Sequence, residues 1–192
     1  MNQTTRQQIV IAGVGGQGVL FVTRLLAEAA IRRGLPVLTS ETHGMAQRGG
    51  SVVSHLKIGG FASPLIRTGA ADGLLGLKAE SLDHFGRFLK PGAWVRLNGP
   101  AIGIESPRSR RVDAETLAAG LGNPRAVNLI LLGFSLGVAE GDPEPGLFCT
   151  EKEIQEALTD SLGRAPDLLE ASRAALEAGL SAGRRGGKTR TV

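Results

Sequence analysis

The stretch from Ile9 to Gly18, IVIAGVGGQG, constrains what this chain can fold into more than any other. Gln8 to Ala12 is a short apolar run, rich in Ile and Val, that stops at a cluster of glycines. A run of that kind, bounded by glycine, reads as a buried strand of a parallel sheet. From Gln17 to Arg33 the apolar residues Leu20, Phe21, Leu25, Leu26, Ala29 and Ala30 recur at helical spacing. Gly34 and Pro36 end that helix, and Pro36 to Thr39 predicts a second strand. Together these segments make a βαβ unit, whose crossover is expected to be right-handed.

The rest of the chain extends the same pattern. Ser51 to Ile58 alternates apolar with polar residues, which predicts a half-exposed strand at or near a sheet edge. Asp72 to Leu77 and Ala93 to Leu97 read as strands, with an amphipathic helix from Ala79 to Leu89 between them and a short last strand at Arg110 to Val112. Asn123-Pro124 opens a helix whose middle, Asn128 to Ala139, is apolar almost all the way round. Such a helix belongs in a core or a subunit interface, and Gly133 and Gly137 on it permit close contact with another helix. Thr150 and Glu153 predict a capping box, and Asp167 to Gly179 a final amphipathic helix. The expected fold is α/β: a three-layer, Rossmann-like, mostly parallel sheet with helices on both faces and a helical C-terminal third.

With 42% hydrophobic residues, 192 residues suffice for a full core without metal or disulfide staples. We expect one domain over 1–183 and a basic, disordered tail over 184–192. That tail holds four basic groups and no acid, which accounts for the whole net charge of +4. A solvated end explains it more simply than nucleic-acid binding, so no nucleic-acid partner is expected. No secretory leader precedes the first strand and no apolar run reaches the length of a membrane span. The expectation is a soluble cytoplasmic protein with no membrane partner.

Two loops carry the candidate chemistry. Gly13, Gly15 and Gly18 match G-x-G-x-x-G, with Gly16 as an extra glycine, between a strand and a helix. Glycines let backbone approach an anion, and the helix behind aims free N–H groups at it. A tight turn packed under another subunit needs the same glycines, so the two readings stand level. A dinucleotide fold also wants an acidic residue after its second strand, roughly where Glu41 stands. The second loop, SETHGMAQRGGS from Ser40 to Ser51, sets Glu41, Thr42, His43, Gln47, Arg48 and Ser51 among glycines. Arg48-Gly49-Gly50 suits an anion or a carboxylate; the plainer alternative is a solvated turn. His43 and Arg48 are the candidates for a direct part in catalysis.

Other residues exclude chemistry. Cys149 is the only cysteine, which rules out a disulfide framework or a cysteine-ligated cluster within the chain, and it reads as an inert thiol. His43, His55 and His84 lack ligand spacing, so no metal site is expected. Asp72-Gly73 followed by Asn98 is only a rough echo of a thiamine-diphosphate magnesium motif, with Ala71 and Gly99 at two of its positions.

GVGGQGVL at Gly13 to Leu20 and SETHGMAQRGGSVVSHLKIG at Ser40 to Gly59 together resemble the small (beta) subunit of indolepyruvate:ferredoxin oxidoreductase. That subunit is equivalent to the gamma domain of the pyruvate and 2-oxoacid:acceptor oxidoreductases. The resemblance is dense over residues 8 to 60 and looser through AADGLLGL, Asn98 and the Asn128 to Gly137 helix. It implies a subunit, inactive alone, of an enzyme that oxidatively decarboxylates a 2-oxoacid to acyl-CoA. Thiamine diphosphate, magnesium and iron–sulfur clusters would sit on a large alpha partner, electrons would leave through ferredoxin, and CoA would be a substrate. Gly13, Gly15, Gly16, Gly18, Glu41, Gln47, Gly49, Gly50 and Ser51 would then serve cofactor binding or the interface. His43, Gln47, Arg48 and Ser51 would meet the partner or the CoA side of the reaction. The rival readings are a free-standing Rossmann-like nucleotide-binding protein and a non-catalytic interaction protein.

Overall fold

The computed structural model describes residues 5–43, 50–100, 108–141 and 146–187. Six strands form one sheet in the order β2-β3-β1-β4-β5-β6. They are β1 (Gln7–Val14), β2 (Val37–His43), β3 (Ser51–Ile58), β4 (Ala71–Gly76), β5 (Leu89–Asn98) and β6 (Ser109–Val112). β1, β4, β5 and β6 pair in parallel, and β3 runs antiparallel to both β1 and β2. The sheet is therefore mostly parallel with one reversed strand. The expected βαβ unit forms, but β3 is inserted between its two strands.

β3 stands next to the edge strand, near the sheet edge as expected, but it is not half-exposed. Seven of its eight residues are buried, and β2 takes the edge. Its polar side is covered by the chain that follows. His55 Nδ1 accepts the Ile66 N–H at 3.2 Å and its ring meets Phe88 edge-on at 5.1 Å. Lys57 packs against Phe61, its Nζ 5.0 Å from the ring centroid. Alternation still specified the two faces; what it could not show is that a loop would cover the polar one.

Six helices complete the layers: α1 (Val19–Arg32), α2 (Ser81–Phe85), α3 (Ala114–Gly120), α4 (Val127–Gly141), α5 (Glu151–Leu162) and α6 (Pro166–Gly187). α1 closes at Gly34, with Gly34 N–H donating to Ile31 O at 2.8 Å and Leu35 N–H to Ala30 O at 2.9 Å. The main core lies between one sheet face and α1, α4, α5 and α6, and includes Ile9, Ile11, Leu26, Trp94, Ile130 and Leu176. Each large side chain fully buried there contributes about 1.5–3 kcal/mol. A smaller core on the other face gathers Val10, Val53, Leu74 and Val95 under Ile66, Phe85 and Phe88. The helix expected over 79–89 is cut to α2 and one 3-10 turn, because Leu89 already begins β5.

α4 and α6 touch through their backbones. A Cβ on Gly133 would lie 2.0 Å from Leu176 O, and one on Gly179 would lie 2.0 Å from Ile130 O. The capping box at Thr150 and Glu153 forms as expected. α6 continues past Gly183 to Gly187, so the helix takes in the first residues of the stretch expected to be tail; Arg184 pairs there with Glu151 at 2.9 Å. No described helix is long and apolar enough to cross a membrane.

Candidate functional site

The chain leaves β1 through α1 toward one side of the sheet, and leaves β4 through α2 toward the other. The carboxyl ends of β1 and β4 therefore flank a topological switch point, where open α/β sheets place their ligands. The glycine turn and the Leu77–Glu80 loop stand on its two sides, and Leu77 N–H donates to Ala12 O at 2.8 Å.

The turn is held largely by its own atoms. Gln17 N–H donates to Val14 O at 3.1 Å, and Gln17 Oε1 accepts the Val14 N–H at 2.9 Å. Gln17 Nε2 reaches across the switch point to Leu77 O at 3.4 Å. Gly18 caps α1 with a φ of 79°, and a Cβ there would stand 2.1 Å from Asn128 Nδ2. The third glycine of the pattern is thus required both by the turn and by the side chain from α4. Gly15 and Gly16 instead face open space, and α1 has no acidic residue in its first turn. The turn leaves its outer rim and the N-terminus of α1 available to an anion, while its inner amides are used internally.

The two candidate loops meet. Gly15 N–H donates to Gly50 O at 3.1 Å, and Ser51 sits opposite Val14 in the β1–β3 register. His43 lies at the end of β2, opposite Val52. Gln47, Arg48 and Gly49 lie outside the described residues. Glu41 is brought to a different place. It pairs in register with Ser54 of β3, one strand removed from β1, hence about 10 Å across the sheet from the glycine strand. With Leu20, Phe21 and Arg24 it lines a groove of about 440 Å³ between α1 and β2. A dinucleotide fold needs its acidic residue on the strand next to the glycine strand. The intervening β3 removes Glu41 from that position.

A polar cluster beyond the glycine turn was not legible in the sequence. Asn98, at the end of β5, donates from Nδ2 to Leu77 O at 3.2 Å and to Glu115 Oε1 at 3.4 Å, and accepts Ala114 N–H at 3.0 Å. Lys78 Nζ lies 3.3 Å from the same Glu115 oxygen. Glu115 also borders the cleft of about 340 Å³ in front of Gly16 and Gln17, together with Arg125. Its sequence signal was slight: Asp113 caps α3 by accepting the Thr116 N–H at 2.9 Å, which places Glu115 in the first turn.

One cysteine cannot hold an iron–sulfur cluster, and the Asp72 and Asn98 pair does not fit the magnesium of thiamine diphosphate. Asp72 stands near the start of β4, its Oδ2 accepting Gln8 N–H at 2.6 Å, with Lys90 paired to its other oxygen. Asn98 ends β5, so the two lie roughly 16 Å apart along the strands and cannot share a magnesium ion. Cys149 is buried, and desolvation pushes its thiol up to about 12, with Glu153 adding to the shift. Among the described residues no three His, Cys, Asp or Glu side chains gather as a metal site.

The sequence pattern of the pyruvate ferredoxin/flavodoxin oxidoreductases matches residues 8–182. The chain belongs to that family. It is 37% identical over 154 residues to the indolepyruvate oxidoreductase subunit IorB of Archaeoglobus fulgidus, covering 69% of this chain and 77% of that one. The IorB subunit of Thermococcus kodakarensis is 29% identical over 91% of this chain and 94% of its own length. The fold is shared with the keto/oxoacid ferredoxin oxidoreductase gamma subunit of Geobacter sulfurreducens, at a TM-score of 0.70 and 24% identity over 93% of this chain and 99% of that one. A 2-oxoglutarate:ferredoxin oxidoreductase of Magnetococcus marinus gives a TM-score of 0.76 at 19% identity. This family member spans 32% of that longer chain, with 95% of its own residues aligned.

Proposed function

We propose that this chain is the small subunit of a 2-oxoacid:ferredoxin oxidoreductase acting on indolepyruvate or related arylpyruvates. Oxidative decarboxylation would convert the 2-oxoacid and CoA to acyl-CoA and carbon dioxide, with two electrons passed to ferredoxin. The identity to IorB subunits over most of their length supports the substrate class. The contact that carries the role of the site is the bond from Gly15 to Gly50, which joins the two loops at the carboxyl end of β1.

A large partner would hold thiamine diphosphate, magnesium and the clusters, since one cysteine here cannot hold a cluster and Asp72 and Asn98 cannot share a magnesium ion. This chain would present a surface built from the rim of the glycine turn and the Ser40–Ser51 segment, in which Ser40 to His43 end β2 and Ser51 begins β3. Backbone N–H groups at the start of α1 and the Arg48 guanidinium suit an anionic group, and CoA carries phosphates. His43, Gln47 and Ser51 would add polar contacts to CoA or to the partner. The compartment would be the cytoplasm.

The test is the Arg48→Ala variant, assayed in the complex reconstituted with its large partner. Turnover with an arylpyruvate and CoA should fall at least tenfold, the scale of one charge-assisted contact. The circular dichroism and unfolding midpoint of the isolated subunit should not move. Unchanged turnover removes Arg48 from the site.

A further inference from the structure

One corner of the sheet, at the end opposite the glycine turn, collects positive charge around a single aromatic ring. The Phe61 ring has the Arg6 guanidinium carbon 4.2 Å and the Lys57 ammonium 5.0 Å from its centroid. The Lys57 side chain is only 6% exposed, with its ammonium against the Phe61 ring. Arg67, on the exposed stretch that covers this face, adds its charge to that of Arg6 in lowering the Lys57 pKa, after burial itself. The carboxylate of Asp72 on β4 is engaged by Gln8 N–H and Lys90. Gly59 brings the charges together: its φ is 100°, and a Cβ there would lie 2.7 Å from Thr5 O and 3.2 Å from Arg6 Cα.

Arg6 and Arg67 repel a lysine that has no carboxylate partner among the described residues, and its partial removal from water carries a further cost. A doubly charged oxyanion relieves both, because guanidinium and ammonium donors match its oxygens. We propose that Arg6, Lys57 and Arg67 form a phosphate-binding site beside Phe61, for inorganic phosphate or a phosphate monoester. The site lies away from the glycine turn and does not rest on the subunit reading.

The test is calorimetric titration of the full chain with inorganic phosphate at constant ionic strength, with chloride as the control. Saturable one-site binding is expected, about tenfold weaker in each of Arg6→Gln and Arg67→Gln, the scale of one charge-assisted contact. Both positions are exposed, so both variants should fold. Lys57→Met should abolish binding and, without phosphate, unfold at no lower temperature than the parent. Adenosine 5′-monophosphate as a second probe separates the sources. Tighter binding than inorganic phosphate points to a monoester, equal or weaker binding to the free ion, and either supports the site. Absence of saturation, or binding undiminished in Arg6→Gln and Arg67→Gln, would overturn it.

Discussion

Two buried titratable side chains make predictions at the scale of the residue. Burial, and then the charge of Lys57, lower the His55 pKa from 6.5, and its Nδ1 already accepts the Ile66 N–H. The folded chain therefore takes up this proton less readily than the unfolded chain. The contribution is complete above pH 6.5 and is lost as pH falls below it toward the depressed folded value. Urea midpoints measured between pH 7.5 and 5 should fall through that window, and His55→Gln should flatten the fall. Cys149 has a thiol raised to about 12 by burial, so it should react with a thiol reagent only as fast as the chain unfolds. Labelling rates with and without denaturant measure this directly; rapid labelling of the native chain would contradict the burial. His55 was visible in the sequence only as a residue on the polar side of an alternating strand. Its acceptor role depends on Ile66, eleven residues away, which periodicity does not report.

At the scale of the element, α4 packs against α6 with backbone on backbone. A methyl group at Gly133 would meet Leu176 O at 2.0 Å, and backbone cannot turn aside as a side chain can. Gly133→Ala should therefore destabilise the chain by about 3 kcal/mol or more, measured by chemical denaturation. Helix propensity alone would favour alanine by about 1 kcal/mol, so the sign of the change separates packing from propensity. The Gly133 and Gly137 spacing was readable beforehand because a glycine pair on an all-apolar helix has few other uses. So were the capping box and the glycine turn, which are local devices with fixed residue spacing. The position of β3 was not. Nothing within Ser51 to Ile58 says that the strand enters between β1 and β2, since that is decided by pairing across the sheet.

For the whole molecule, the order of strands bears on the dinucleotide reading of the glycine motif. With β3 between β1 and β2, Glu41 cannot stand where a dinucleotide's ribose would be read, although the glycine pattern itself is intact. The same arrangement joins the two specific loops through Gly15 and Gly50. Spacing alone did not report that bond, because 35 positions separate the two glycines and the strand that returns is placed by pairing across the sheet. One thiol cannot ligate an iron–sulfur cluster, and Asp72 and Asn98 at opposite ends of their strands cannot share a magnesium ion. The central claim is therefore that it acts within a larger enzyme. The most direct measurement is anaerobic co-purification of the tagged chain from its own cells, followed by assay of the eluate. The account predicts a larger, brown, thiamine-containing partner and CoA-dependent oxidation of arylpyruvates with reduction of ferredoxin. A colourless eluate holding this chain alone, able to bind NAD(P) by titration, would contradict it.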